Sequence, residues 1–279
     1  MDAHHTWFIT GCSTGIGRAL AFAVAAAGHR VVATARRPET LDELVVTYPQ
    51  TVLALPLDVT DPGQIEAARD AALEWLGDEG LDVLVNNAGI GYFSTIEESE
   101  QADVETMMDI NFWGAANVTR AFLPHLRERR AGNIVTVSSI AGVRGSAGLG
   151  YYCATKFAVS GFMEALAAEV AHLGLRVTVV EPGPIDTLWI PSGKKQHHVA
   201  PDYAEVMEPY WNRIDNLPGN QPGTPEALAE AVVTLVASPE PPLHFIAGKH
   251  ALAGTREKLE RLGADVDAWE ELTVSVDRR

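Results

Sequence analysis

Only two cysteines, Cys12 and Cys153, occur in the 279 residues, too few for a disulfide framework. Basic charge is also scarce: 21 Lys and Arg stand against 37 Asp and Glu, a formal net charge of −16. Such a surface repels phosphodiester backbones and anionic lipid headgroups, so neither nucleic acid nor a membrane is expected as a partner. No uncharged apolar stretch approaches the roughly 18–20 residues of a membrane span. The longest, around Ala19–Ala27, is alanine-rich and abuts a glycine loop. The opening stretch MDAHHTWFIT has no basic segment leading into a long apolar run. No signal peptide is therefore expected, and a cytoplasmic location is the default reading. Internal repeats and low-complexity tracts are missing as well.

What is present is a regular alternation. Apolar residues make up 47% of the chain, enough to bury a sizeable core. Short β-branched runs at 6–10, 30–35, 51–57, 81–87, 133–139, 176–182 and 243–248 read as strands. Segments of helical period fill the gaps at 15–27, 40–47, 62–76, 100–109, 112–129, 152–172, 225–237 and 255–269. Near-continuous apolar strands such as VLALPL imply burial on both faces, as in an α/β doubly wound parallel sheet of about seven strands with helices on both sides. One segment breaks the rhythm. Residues 183–224 are rich in Gly, Pro, His and aromatics, and a connection that long suggests a lid-like insertion. No linker divides the chain, so 1–279 is read as a single domain ending in the helix at 255–269.

Chemistry enters just after the first strand, where TGCSTGIG opens a helix. Gly11, Gly15 and Gly17, with Ser13, Thr14 and Ile16 between them, would let backbone N–H groups approach a pyrophosphate at a helix N-terminus. The spacing is G-x-x-x-G-x-G rather than G-x-G-x-x-G. Further along come LDVTD (57–61), NNAG (86–89), Asn111 in DINFWG, Ser139 in VSSIAG, YYCATK (151–156) and EPGPIDT (181–187). In this order and spacing the chain resembles the short-chain dehydrogenase/reductase (SDR) family, classical type, over residues 6–187, with LHFIAG (243–248) as its last strand. The resemblance implies a Rossmann-type fold and a nicotinamide dinucleotide. It also implies that Asp58 and Val59 flank the adenine, that Asn87, Ala88 and Gly89 line the cofactor groove, and that Pro182, Gly183, Ile185 and Thr187 meet the nicotinamide. Taken singly, Asp58 reads equally as a turn cap before Asp61-Pro62, and NNAG as a strand-ending turn. At the end of the second strand, an NAD site wants a carboxylate for the ribose 2′-hydroxyl. Here the chain reads Ala35-Arg36-Arg37, so NADP(H) is expected, with Arg36 as the 2′-phosphate partner and Arg37 assisting or facing solvent.

Moving a hydride to a ketone needs a proton donor at the nascent alkoxide, and a free phenol, with a pKa near ~10, needs help to act as a base. A nearby ammonium or a cationic nicotinamide favours the phenolate. Of two adjacent tyrosines, Tyr152 lies four residues before Lys156, about 40° away around a helix, whereas Tyr151 lies five before it, about 140° away. Tyr152 also follows Ser139 by thirteen residues, the family's usual offset. Strand alternation lets only one of Ser138 and Ser139 address the site, and the offset selects Ser139 as carbonyl polariser. The resemblance adds Asn111, holding a water that links Lys156 to solvent, and gives Lys156 the nicotinamide ribose as well as Tyr152. The alternative for Tyr152 and Lys156 is a core aromatic with a snorkelling lysine.

Cys12 and Cys153 read as buried, inert thiols. His4-His5 and His197-His198 lack a further ligand, and no metal is assigned. Leu188, Trp189, Ile190, Pro191, Tyr203, Tyr210 and Trp211, with Val143, Leu149 and Tyr151, are candidates for the wall of an apolar pocket. The tail resembles the bacterial branch related to hydroxysteroid and retinol dehydrogenases. The expected activity is therefore oxidoreduction between NADP(H) and a secondary alcohol or ketone, bulky or lipophilic. The alternatives are a sensor or scaffold without turnover, or a nucleotide-sugar epimerase or dehydratase. The family resemblance implies a homo-oligomer, dimer or tetramer, formed through the helices that start near Phe112 and Tyr152.

Overall fold

A computed structural model of the chain describes residues 4–196 and 200–277. Nine strands run β1 Thr6–Ile9, β2 Arg30–Ala35, β3 Val52–Pro56, β4 Val83–Asn86, β5 Tyr92–Phe93, β6 Gly132–Val137, β7 Leu175–Pro182, β8 Lys194–Lys195 and β9 His244–Ala247. The helices are α1 Gly15–Ala26, α2 Asp42–Thr47, α3 Pro62–Leu76, α4 Gln101–Met108, α5 Ala115–Arg129, α6 Gly150–Val170, α7 Trp189–Ser192, α8 Ala204–Asn216, α9 Pro225–Ala237, α10 Lys249–Ala268 and α11 Glu270–Val274. Seven strands form one parallel sheet in the order β3-β2-β1-β4-β6-β7-β9, the Rossmann-type arrangement. The chain reverses direction across the sheet between β1 and β4. In such sheets the crevice beyond the carboxyl ends of the strands at that reversal is where a ligand fits.

Strand alternation explains the two cores. Trp7 and Ile9 of β1 point to one face with Val31, Val83, Val85, Val135 and Val180, packed under α1 and α9. Phe8 points to the other with Val32, Leu84, Ile134 and Val177, under α3, α5 and α6. The centre of the second core is the Phe8–Phe122 pair, ring centroids 4.6 Å apart.

Three departures from the sequence reading have physical causes. The helices expected at 100–109 and 112–129 are joined by a π-helical turn, Asp109–Gly114, so α4 and α5 run on without a break. Its wide turn buries Asn111 and Gly114, and Val59 packs where a Gly114 side chain would stand. The last long helix starts at Lys249, ahead of residue 255, because its inner contacts are small residues, Ala251 and Gly254, which leave little apolar period to read. The third is a short parallel pair, β5 with β8, which ties the 183–224 segment to the loop after β4. Within that segment, Met207, Tyr210, Trp211 and Ile214 of α8 follow helical spacing and make a small core with Phe93 and Ile190.

Phe122 is fully buried between α5 and β1. Phe122→Ala should lower the unfolding free energy by about 3–5 kcal/mol in urea titration, and a loss under about 1 kcal/mol would show that this pair does not anchor the second core.

Candidate active site

The residues singled out from the sequence converge at the carboxyl ends of β1, β4, β6 and β7. The loop after β1 is held by a clamp from β4. Thr10 Oγ1 accepts the N–H groups of Asn87 (2.9 Å) and Ala88 (3.0 Å), and the Asn87 amide donates to the carbonyls of Thr10 (2.9 Å) and Gly11 (3.1 Å). Gly11 has φ +72°, and a Cβ there would press on the Ala88 backbone. A Cβ at Gly17 would sit inside the contact radii of the Asn87 amide and the Gly11 carbonyl. Thr14 stands at the N-cap of α1 in extended conformation and its side chain makes no capping bond, which leaves the first-turn N–H groups of Gly15, Ile16 and Gly17 for an external acceptor. Ser13 is half-buried beside them. A cradle with backbone donors, no side-chain cap and no room for a Cβ fits a dinucleotide pyrophosphate.

Around the cradle, Arg36 and Arg37 follow β2 and are exposed, and among the described residues neither side chain has a partner. Asp58 binds Thr60 through Oδ1 (3.0 Å to the amide, 2.7 Å to the hydroxyl) and so does cap a turn, while Val59 is buried against Gly114. Pro182 ends β7, and the Gly183 amide donates to Ala247 (3.0 Å). Ile185 bridges to Gly223, and the Thr187 methyl reaches Gly15. Asn87 is a structural clamp whose side chain faces the protein backbone.

Ser139 leaves β6 with its Oγ accepting the Ala141 N–H (3.1 Å). Ser138 points away, as alternation requires, to Ser160 Oγ at 2.9 Å and the Lys156 carbonyl at 3.3 Å. From the first turn of α6, buried Tyr152 presents its phenol to Ser139. One turn on, Lys156 is buried as well, with Nζ donating to the Val137 carbonyl (2.9 Å) and lying 5.8 Å from the Tyr152 ring centre. Gly89 lies alongside both Lys156 Nζ and Asn111 Oδ1. The Asn111 amide bonds to protein through both donors and its oxygen: it accepts from Ile90 N–H (2.8 Å) and donates to Ile90 O (3.0 Å) and Thr155 Oγ1 (3.1 Å).

Electrostatics differ from the simple picture of an ammonium that acidifies a phenol. Burial raises the Tyr152 pKa above the ordinary tyrosine value, and the Ser139 hydrogen bond offsets this only in part. Burial also lowers the Lys156 pKa, to about 8. Desolvation therefore favours the neutral form of both groups. Cys12 is pushed up to about 12 by burial, and Cys153 is raised for the same reason, so neither is a thiolate.

The insertion closes over this group. Trp189 of α7 packs on Tyr152 (centroids 4.8 Å) and on Phe93 (5.0 Å), over Gly91, where a Cβ would collide with the indole. Ile190, Tyr210 and Trp211 are buried in the small core that the insertion makes with Phe93, while Leu188 and Tyr203 are exposed. Sequence reasoning missed Thr10, Ile90 and Thr155, whose partners are remote in the chain. Only the threonine immediately before Gly11 offered any signal. His197 and His198 lie outside the described residues, and among those described no group of three His, Cys, Asp or Glu is arranged to hold a metal. No described helix is long and apolar enough to cross a membrane.

Comparison with known proteins agrees with this geometry. The family described as "short chain dehydrogenase" matches residues 5–196. Oxidoreductase BOA17 of Botryotinia fuckeliana (strain B05.10) is 36% identical over 270 residues, covering 96% of this chain and 98% of its own. Retinol dehydrogenase 8 of Bos taurus is 33% identical over 258 residues, 87% of this chain and 81% of its own. A crystal structure of a short-chain dehydrogenase from Streptomyces avermitilis superposes with a TM-score of 0.91 at 36% identity, covering 99% of this chain and 100% of that one. ElxO with NADP bound (TM-score 0.72, 27% identity, 87% and 96% covered) and a 3-ketoacyl-(acyl-carrier-protein) reductase from Brucella melitensis complexed with NADH (0.70, 28%, 84% and 91%) share the fold. The glycine cradle, the Ser139–Tyr152–Lys156 group and these likenesses together make the chain a member of the short-chain dehydrogenase/reductase family, an oxidoreductase that works between alcohol and carbonyl with a nicotinamide cofactor.

Proposed function

We propose that this protein is a single-domain NADP(H)-dependent oxidoreductase that interconverts a bulky, apolar secondary alcohol and its ketone. The observation that carries the proposal is the buried Ser139–Tyr152–Lys156 group beside a glycine cradle. Bound there, the nicotinamide supplies or accepts the hydride. Tyr152 holds the proton that passes to or from the substrate oxygen. At the ordinary pKa, raised further by burial, its phenol starts protonated, the form needed to donate to a nascent alkoxide. Ser139 donates to the same oxygen and polarises the carbonyl. Lys156 supplies positive charge when protonated, which favours the phenolate in the oxidative direction, and would also bind the ribose hydroxyls. Asn111 is a positioning residue: its amide fixes Ile90 and Thr155, which border Gly89 and the face of α6 that carries Lys156. The water relay expected for Asn111 would form at the gap by Gly89, where its amide oxygen keeps one acceptor site beyond the Ile90 N–H.

Arg36 supports NADP(H). It is exposed, has no side-chain partner among the described residues, and follows a strand that ends in Ala35 where NAD sites carry a carboxylate. The apolar nature of the substrate is supported by Trp189 over Tyr152, by exposed Leu188 nearby, and by the retinol named for one relative. Exposed Trp113, whose ring packs on Phe112, and exposed Phe157 of α6 support a homo-oligomer built on the helices that start near Phe112 and Tyr152.

Three measurements test this. Tyr152→Phe should abolish NADPH-dependent turnover of a ketone panel, followed at the nicotinamide absorbance band, with NADPH affinity within about twofold. Persistent turnover would remove Tyr152 from the chemistry. Arg36→Ala should weaken NADPH binding by about tenfold, roughly the loss of one charge-assisted contact, with NADH binding unchanged in fluorescence titrations; equal loss for both would refute the 2′-phosphate role. For Lys156, a folded pKa of about 8 against the ordinary 10.5 means that between these values the unfolded chain binds more protons. Its contribution to stability is therefore least favourable below pH 8 and improves by about 3 kcal/mol toward pH 10.5. Relative to Lys156→Met, the wild type should gain stability across that window in urea titrations, and parallel profiles would show that the lysine is not desolvated.

A further inference from the structure

Helix α10 is unlike the others. Of its twenty residues only Ala251 and Gly254 are buried, and every residue from 261 to 277 is exposed. Its root is anchored: Arg144 lies across Gly254 and pairs with Glu257 at 2.8 Å. Beyond Glu260 the helix leaves the body while its apolar pattern continues. Leu252, Leu259, Leu262, Val266 and Trp269 recur at spacings of seven, three, four and three, and all are between 43% and 63% exposed. At about 100° per residue they form one seam within an arc of about 100°. An exposed seam of this kind is the sequence signature of a helix that pairs with another.

The charges say which partner and which direction. Residues 249–261 carry Lys249, Arg256, Lys258 and Arg261 against Glu257 and Glu260, whereas 262–277 carry Asp265, Asp267, Glu270, Glu271 and Asp277 with no lysine or arginine. Around the helix, Arg256 and Asp267 border one side of the seam, and Lys258 and Asp265 border the other. We propose that α10 pairs antiparallel with α10 of a second copy of this chain. A two-fold axis near Glu260 and Arg261 sets Leu259 of each copy against Leu262 of the other, and Leu252 against Trp269. The same register brings Arg256 to Asp267 on one border and Lys258 to Asp265 on the other, so both flanks are complementary at once. Parallel pairing would instead set Arg256 against Lys258 and Asp267 against Asp265, a like-charge arrangement on both flanks. The acidic outer half also disfavours an anionic membrane as occupant. Gly263, where a Cβ would meet nothing, leaves the helix backbone open to close approach near the crossing.

The pairing surface is separate from the Trp113 and Phe157 face, so the two can be tested apart. Sedimentation velocity of the full chain should show the assembly mass halved by Leu262→Glu, an exposed position whose change leaves the body's packing and its thermal midpoint unaltered. Arg256→Glu should weaken association at least tenfold, and adding Asp267→Lys in the same chain should restore it, a rescue that only the antiparallel register provides. Unchanged mass in Leu262→Glu, or no rescue by the charge exchange, would overturn the proposal. So would flotation of the wild type, but not of Leu262→Glu, with phosphatidylcholine vesicles, which would identify a lipid surface as the occupant.

Discussion

The arrangement rests on one clamp at the point where the sheet reverses. Thr10 and Asn87 lock the end of β1 to the end of β4 through four hydrogen bonds, and the absent Cβ atoms of Gly11 and Gly17 let the loop and the start of α1 settle onto that clamp. The loop's N–H groups are thereby aimed outward, and the chain leaving β4 passes Gly89 directly beside Lys156 and Asn111. Loosening the clamp would disturb both the phosphate cradle and the chemistry end, because the same few backbone groups support both.

Desolvation dominates the other half of the site. Tyr152 and Lys156 are both removed from water, and each is driven toward its neutral form, by burial rather than by the other. A site of this kind is poised. A cationic ring or an anionic oxygen arriving in it meets little solvent screening, so small changes in bound charge move both groups strongly. Trp189 contributes to that dryness by covering the Tyr152 ring, and it is delivered by an insertion with its own small core.

Much of this was legible in the chain. Strand and helix order follow from period, and helical register together with the Ser139 offset separates Tyr152 from Tyr151. Extended backbone lets only one of Ser138 and Ser139 address the site, and the offset to Tyr152 points to Ser139; the Ser138 hydroxyl turns to Ser160. Other features were not legible. The π-turn that buries Asn111 differs from an α-helix only in hydrogen-bond register over six residues and leaves no periodic trace. Asn111 has Ile90 and Thr155 as partners, and Asn87 has Thr10 and Gly11, pairings distant in sequence that only the fold brings together.

By itself the sequence determined the sheet class, through periodicity, and the family, through motif order and spacing, and it named the candidates for the site, because these are local properties carried by neighbours in the chain. Tertiary structure alone decided three things: that Asn87 clamps a loop, that Trp189 covers the tyrosine ring, and that the seam of α10 is left uncovered. Each depends on which distant surfaces share the limited space at the end of the sheet. Packing settles that competition, and local pattern does not encode it.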